Sequence, residues 1–162
     1  MDTPLLHLVL YTPQIPNNTG NIGRTALATN ARLHLIHPLG FSLSDKACRR
    51  AGLDYWKHLD VVEHADWQSY LHTADPRRVW LFSTKAERSF REARWNAGDH
   101  LLFGPEDRGL PIELHEAVAQ REGADARIRI PMVDRPEARS LNLATAVAIA
   151  AYEALREIEG GF

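Results

Sequence analysis

The chain has 162 residues, of which 44% are hydrophobic and 25% are charged, and its formal net charge at pH 7 is −2. This composition excludes a disordered chain, no apolar run approaches the roughly 20 residues of a membrane-spanning helix, and the lone cysteine, Cys48, excludes an internal disulfide. We therefore expect a single cytoplasmic domain over residues 1–162 with no membrane partner. The slight negative charge also argues against a broad nucleic-acid interface, because such interfaces are usually basic.

Apolar runs alternate with amphipathic stretches along the whole chain. In chain order, the predicted elements are a strand over Leu5–Tyr11, a helix over Gly20–Asn30, a strand over Leu33–Ile36, a helix over Asp45–Ala51, a strand over Leu59–Val62, a helix over Trp67–His72, strands over Arg78–Phe82 and His100–Phe103, a helix over Pro111–Gln120, a strand over Arg127–Ile130 and a long helix over Leu141–Ile158. This alternation predicts an α/β fold, a mostly parallel sheet with helices on both faces. Ligands of such sheets bind at the carboxyl ends of strands, so we expect the site in the loops after Tyr11, Phe82, Phe103 and Ile130.

Several common signatures are missing, which narrows the chemistry. Gly20 and Gly23 do not form the G-x-G-x-x-G of a dinucleotide fold, and the glycine-containing stretch 104–109 is followed by Leu110-Pro111 instead of the Lys and Ser/Thr of a P-loop. The eight histidines show no H-x-x-x-H spacing, so we expect no metal site. A serine-hydrolase elbow, G-x-S-x-G, is also missing from the sequence.

The first distinctive segment, IPNNTGNIGR at residues 15–24, follows the first strand and opens a helix. It combines exposed amides with Arg24 at a helix N-terminus, a place that favours anions, and the planar guanidinium suits phosphate. The alternative interpretation is a capped turn that carries a surface arginine.

The second distinctive segment, LLFGPEDRGLP at residues 101–111, leads from a buried strand into a glycine. Gly104 lets a ligand approach the backbone closely, and the acidic pair Glu106-Asp107 could receive a hydroxyl or a cationic group. The alternative is a tight turn with Gly104 at positive φ.

The third distinctive segment, around Ile130-Pro131-Met132 and Arg139-Ser140-Leu141-Asn142, leads into the last helix. Ser140 or Asn142 can cap that helix. The helix is apolar nearly all round, with alanines on every face, which indicates burial on more than one side. In so small a domain this favours a subunit interface, although burial within one domain is an alternative.

Positive charge is local in this chain. The basic residues fall in two stretches, Lys46, Arg49, Arg50 and Lys57 in one and Lys85, Arg88, Arg91 and Arg94 in the other. Such clusters are more often solvated helix faces than binding patches, so they permit a small RNA footprint without indicating one.

The three segments together resemble the SPOUT superfamily, and in detail its YibK-type branch, the tRNA (cytidine(34)-2′-O)-methyltransferases. The similarity runs from Leu8-Val9-Leu10-Tyr11 to about Arg156 and includes Pro38-Leu39-Gly40-Phe41 and Arg49-Arg50-Ala51-Gly52-Leu53-Asp54-Tyr55. The resemblance implies a homodimer with a deep C-terminal trefoil knot. It also implies methyl transfer from S-adenosylmethionine to the ribose 2′-hydroxyl of the wobble nucleotide in the tRNA anticodon loop. The knot follows from the resemblance alone, since true knots are nearly absent from proteins.

The same resemblance assigns site residues. Three loops would form the S-adenosylmethionine pocket, with Phe82, Gly104, Ile130, Met132, Ser140 and Leu141. The catalytic candidates are Arg24, Asn21 and Ser140. The candidates for substrate binding are Arg24, Glu106 and Arg139. The chain departs from the family pattern at Phe82, where leucine is common, at Ala144, where serine is common, and in a slightly longer stretch between Met132 and Arg139.

The mechanism that the resemblance implies needs no metal, because the sulfonium of the donor already activates the methyl group. Arg24 is a poor literal base, since a guanidinium keeps its proton to above pH ~12. We expect it to orient the ribose and an adjacent phosphate. Two alternatives stay open: methylation of another RNA nucleotide, such as one in rRNA, and a knotted RNA-binding protein without turnover.

Overall fold

The computed structural model describes residues 3–43 and 53–158. The strands are β1 (Leu6–Tyr11), β2 (Ala31–Ile36), β3 (Val61–His64), β4 (Val79–Phe82), β5 (Arg88–Ser89), β6 (Asp99–Phe103) and β7 (Arg127–Arg129). The α-helices are α1 (Pro16–Ala28), α2 (Trp67–Ala74), α3 (Ile112–Glu122) and α4 (Leu143–Ile158), and short 3-10 helices cover Leu53–His58, Phe90–Glu92 and Ala124–Ala126.

The strands form one sheet in the order β3-β2-β1-β6-β4-β7-β5. Every strand pairing among the described residues is parallel, which confirms the predicted α/β class. From β1 the chain first builds outward through β2 and β3, and it then crosses to the other half of the sheet. The order reverses between β1 and β6, and in open parallel sheets the crevice at such a switch point is where ligands bind.

Each face of the sheet has its own composition. On one face Leu8 of β1 lies between Leu33 of β2 and Leu101 of β6, and all of them are fully buried. Helices α1 and α4 contact each other, and they contact β2 and β6 respectively. On the other face the neighbours are polar: His7 pairs in register with His100, and Tyr70 of α2 donates or accepts a hydrogen bond at His100 Nδ1, 2.7 Å away.

The predicted element order is confirmed for the described residues, with differences at the ends. Helix α1 begins at Pro16 instead of near Gly20, because proline is preorganised for the first helical position. The N-cap residue is Ile15, and no side-chain hydrogen bond caps the helix there. The sequence did not predict β5, which has only two residues. The predicted helix over Asp45–Ala51 lies outside the described residues. Among the helices that the structure describes, none is long and apolar enough to cross a membrane.

Three imidazoles form a hydrogen-bonded line across the polar face. His7 Nδ1 lies 2.9 Å from His34 Nε2, and His34 Nδ1 lies 2.9 Å from His64 Nε2. Burial, together with smaller effects of neighbouring groups such as Arg32, lowers the pKa of His7 to about 4, of His34 to about 2 and of His100 to about 3. All of these histidines are therefore neutral at pH 7.

We expect this cluster to make the fold acid-sensitive. The unfolded chain takes up protons near the ordinary histidine pKa of 6.5, whereas the folded chain stays neutral far below it, so the stability is complete above pH 6.5 and is lost as the pH falls towards the folded values. His34 and His100 are 2% and 3% exposed. Each should lower the free energy of unfolding by about 2 kcal/mol at pH 5 relative to pH 7.5.

Urea unfolding at the two pH values measures this loss. His100→Phe should reduce the difference by about 2 kcal/mol, whereas the exposed His72→Gln should leave it unchanged. An equal pH dependence in wild type and His100→Phe would contradict the assignment.

Candidate functional site

The described loops at the carboxyl ends of β4, β6 and β7 enclose a cavity of about 550 Å³ together with the start of α4. A volume of this size is typical of sites for small molecules and cofactors. All the residues that the sequence predicted for a cofactor pocket line it: Phe82, Gly104, Ile130, Met132, Ser140 and Leu141. The parallel sheet explains this convergence, since strands that run in one direction end at one edge.

Aromatic rings form one wall of the cavity. Phe82 and Phe103 end neighbouring strands and stack with ring centroids 4.7 Å apart and planes 14° from parallel. Both rings are nearly buried and both residues line the cavity. A flat apolar wall of this kind favours a ligand that carries an aromatic base.

Gly104 is required by the shape of the loop that follows β6. A Cβ atom at this position would lie 2.5 Å from the backbone nitrogen of Leu110 and 2.6 Å from the carbonyl carbon of Gly109, closer than real Cβ atoms approach. The loop therefore folds back onto Gly104 itself. The positive φ that the sequence suggested for Gly104 occurs instead at Gly109, where φ is 69°.

Glu106 joins the two central loops of the site. Its carboxylate accepts hydrogen bonds from the backbone N–H groups of Gln14, at 2.9 Å, and Ile15, at 2.8 Å. These residues lie between β1 and α1, so Glu106 holds the loop before Arg24 against the loop that carries Gly104. Although Glu106 also lines the cavity, these hydrogen bonds give it a structural role that its sequence context did not indicate.

A pair of asparagines fixes the start of α4 at the cavity. Asn142 caps the helix by accepting from the backbone N–H of Thr145 at 3.3 Å, and its amide donates to Asn18 Oδ1 at 3.1 Å. Asn18 is buried in the first turn of α1 and lines the cavity with Asn142. Of the two predicted capping residues, Asn142 is the one that makes the bond. The sequence did not single out Asn18 as a site residue, because asparagine in this segment is also typical of a turn or a helix cap.

Arg24, Asn21 and Arg139 are exposed and are not among the residues that line the cavity. The Arg24 guanidinium lies over the Tyr55 ring, 5.7 Å from its centroid, and the Tyr55 hydroxyl donates to the carbonyl of Gly20. Through Tyr55, the 3-10 helix over Leu53–His58 thus contacts α1 at Gly20 and at the Arg24 side chain. Arg139 Nε donates to the carbonyl of Pro136 at 3.3 Å.

The two basic stretches divide in the structure. Lys46, Arg49 and Arg50 lie outside the described residues, and Lys57 is exposed. In the second stretch, Arg88 lies 3.6 Å from Asp125 and Arg94 lies 3.8 Å from Glu157, whereas Lys85 lines the cavity. Among the members of these stretches that the structure describes, Lys85 is the one that lines the cavity.

His115 adds a neutral polar group to the cavity wall. Burial, with Arg127 and Lys85 nearby, lowers its pKa, and its Nδ1 accepts a hydrogen bond from Arg127 Nε at 3.1 Å. The cavity therefore combines an aromatic wall, loop backbone and a few polar side chains around a glycine turn. Such a site can hold a nucleoside-like molecule, with orientation fixed by the backbone.

Comparison with known proteins agrees with this arrangement. A family model described as the SpoU rRNA methylase family matches residues 5–152. A tRNA (cytidine(34)-2′-O)-methyltransferase of Saccharophagus degradans is 46% identical over 154 residues, 95% of this chain and 96% of that relative.

Solved structures give the same result. One described as giving structural insights into the 2-OH methylation of C/U34 on tRNA is 51% identical, with a TM-score of 0.84 over 96% of this chain and 97% of that one. An AdoMet-bound rRNA methyltransferase from Sinorhizobium meliloti is 26% identical, with a TM-score of 0.79 over 96% of this chain and 57% of that one. The sequence match over nearly the whole chain and the shared fold show that this chain belongs to the SpoU methylase family.

Proposed function

We propose that this chain is an S-adenosylmethionine-dependent methyltransferase that methylates the ribose 2′-hydroxyl of the wobble nucleotide, cytidine or a modified uridine at position 34, in the tRNA anticodon loop. One observation carries the proposal: the predicted cofactor residues of three separate loops converge on one cavity. The chain surrounding that cavity is 46% identical to a relative named for this reaction. The proposal includes a cytoplasmic location, which a tRNA substrate supports.

The cavity fits the proposed donor. The Phe82 and Phe103 rings suit an adenine, and Gly104 lines the cavity with backbone alone. Ile130, Met132 and Leu141 supply apolar contacts, and Ser140 a hydroxyl. When it is bound, S-adenosylmethionine supplies a methyl group already activated for transfer. The reaction we propose uses no metal.

The protein's own task is then to position the ribose. The Arg24 guanidinium offers several N–H donors, so it can hold the ribose and a neighbouring phosphate, while that phosphate or a water takes the 2′-hydroxyl proton. Asn21, one helical turn before it, and Ser140 are the further candidates for contact with the ribose. Arg139 is exposed next to the cavity residues and is a candidate for the phosphate backbone.

A second copy of the chain would complete this site, because Arg24 does not line the cavity of its own subunit. On α4 a stripe of three exposed residues and the partly buried Ala148 follows helical spacing on the side away from the core: Thr145, Ala148, Ile149 and Tyr152. Ile149 and Tyr152 are 37% and 47% exposed, and Leu27 of α1 is 45% exposed. We infer that two chains form a homodimer through this stripe. The exposed stripe is what favours the subunit interface over burial within one domain as the interpretation of the alanine-rich helix.

The proposal includes the trefoil knot of the family. After β7 the chain passes through residues 131–142 along the cavity and then forms α4, which packs against α1 and β6. A knot would require the chain to thread through a loop on this path, and the family resemblance is what supports that part of the proposal.

The dimer can be tested by placing a charge on the stripe. Ala148 is only partly buried in the single subunit, so Ala148→Glu should fold but carry an unpaired carboxylate into the interface, at a cost of several kcal/mol. We expect a monomer in analytical ultracentrifugation that has lost methyl transfer to tRNA. Gln120→Glu, an exposed change on α3, is the matched control and should stay dimeric and active. A monomeric wild type with full activity would contradict the proposal.

The function is tested by mapping ribose methylation, with mass spectrometry, in RNA from cells that lack the protein. Loss of the 2′-O-methyl group at the tRNA wobble position, restored by the wild-type gene, is the expected result. Loss confined to rRNA would favour the alternative that the protein methylates an rRNA nucleotide. Unchanged methylation, together with no S-adenosylmethionine binding in calorimetry, would favour a non-catalytic RNA-binding protein.

A further inference from the structure

The polar face of the sheet holds a group of histidines that the proposed methyl transfer does not use. His7, His34 and His100 come from the adjacent strands β1, β2 and β6, and each offers a ring nitrogen within 4.8 Å of the others. His34 and His100 are buried and His7 is partly exposed, so the group has one side open to solvent.

We propose that His7, His34 and His100 form a binding site for a divalent transition metal of the Zn²⁺ type, with imidazole nitrogens as three ligands and water as the fourth. Neutral imidazole is a preferred ligand of Zn²⁺ and its neighbours in the first transition series.

The surrounding hydrogen bonds match those of metal-bound histidines. In such sites the nitrogen that does not bind the metal is held by a second group, which fixes the ring. Here His34 Nδ1 lies 2.9 Å from His64 Nε2, and His100 Nδ1 lies 2.7 Å from the Tyr70 hydroxyl. These bonds leave Nε2 of His100 for a metal, whereas Nε2 of His34 is hydrogen-bonded to His7 Nδ1, and a bound metal would replace that hydrogen bond. His7 Nδ1, 2.9 Å from His34 Nε2, supplies the third nitrogen.

The rings must rotate before they can bind one ion, because an imidazole nitrogen binds a metal in the plane of its ring. Nitrogens bound to tetrahedral Zn²⁺ are about 3.3 Å apart, given Zn–N bonds of about 2.0–2.1 Å. The His7 and His100 rings stack with their centroids 4.0 Å apart and an angle of 3° between their planes. Each ring must therefore turn out of this stack to point a nitrogen at the ion. This motion is a rotation about χ2, which is a soft torsion in histidine.

The charged neighbours of the cluster are already paired. Arg32 of β2 binds Asp60 at 2.7 Å, and Arg121 of α3 binds Glu122. Their partners reduce the repulsion that these guanidinium groups would exert on a cation. Because His100 is the second residue of β6 whereas Phe103 ends the strand at the cavity, the metal would lie about 10 Å from the donor pocket. We therefore assign it a structural role, outside the methyl-transfer chemistry.

The proposal is tested on the untagged full chain, stripped with chelator and titrated with Zn²⁺ by calorimetry and with Co²⁺ by visible absorption. We expect one ion per chain, a four-coordinate Co²⁺ spectrum and a rise of several degrees in Tm. His7→Gln, at the partly exposed position, should fold and weaken binding by more than about 100-fold. Tyr70→Phe keeps all three ligands and should weaken it by about 10- to 100-fold.

The control is His72→Gln, an exposed histidine outside the cluster, which should bind like wild type. Equal affinity in wild type and His7→Gln would overturn the proposal, as would an octahedral Co²⁺ spectrum. Since binding and Tm are read without RNA or S-adenosylmethionine, these outcomes are independent of the proposed function.

Discussion

Arg24→Ala should abolish methyl transfer to tRNA while leaving the fold and the affinity for S-adenosylmethionine close to wild type. Arg24 is exposed on α1, rests on the Tyr55 ring and does not line the donor cavity, so its removal opens no core cavity and removes no donor contact. Losing the group that aligns the ribose should lower the single-turnover rate by at least about 10²-fold.

Arg24→Lys separates geometry from charge. A lysine keeps the positive charge but cannot offer the planar, two-pronged donor of a guanidinium, so we expect little recovery. Arg91→Ala, which removes another exposed arginine, is the control and should keep the wild-type rate. Near-normal turnover in Arg24→Ala would remove this residue from the mechanism, and a parallel loss of donor affinity would place it in the cofactor pocket.

The sequence predicted most of the fold because its strands are buried apolar runs. Continuous runs such as Leu101-Leu102-Phe103 match strands that are covered on both faces. It also predicted that these loops would meet at one cavity, since the carboxyl ends of parallel strands lie at one edge. The resemblance to a family supplied the rest of that prediction, because Met132 and Leu141 carry no chemical signal of their own.

The remaining features depend on contacts between distant parts of the chain. His7 and His34 are 27 residues apart, and Glu106 and Gln14 are 92 apart, so no local spacing could connect them. The start of α1 was misplaced because Asn18 and Thr19 are good capping residues, whereas the chain uses Pro16 and buries both. The two-residue strand β5 is too short for any periodicity.

Gly104→Val should abolish S-adenosylmethionine binding while the sheet stays folded. The first side-chain atom alone would lie 2.5 Å from the Leu110 backbone nitrogen, so the loop between them must open and carry the cavity wall with it. Gly104→Ala should already weaken binding, by on the order of 10²-fold, because the clash is with the backbone and cannot be relieved by a rotamer. Gly98→Ala is the control, since its Cβ meets nothing within 4 Å and its φ of 88° imposes backbone strain away from the site. Wild-type affinity for S-adenosylmethionine in Gly104→Val would show that the cofactor binds at another place.

Mixing the two inactive variants tests whether Arg24 serves the cavity of its own subunit or that of its partner. A dimer of Arg24→Ala with Gly104→Val has one intact cavity, in the subunit that lacks the arginine. If the partner supplies Arg24, that cavity receives it and one active site returns. Random exchange of equal amounts should then recover about a quarter of the wild-type activity, since half of the dimers are mixed and each holds one of two sites. If Arg24 acts within its own subunit, every site in the mixture lacks either the arginine or the cavity, and no activity returns. The second result would leave Arg24 in the mechanism but require α1 to bend towards its own cavity when RNA binds.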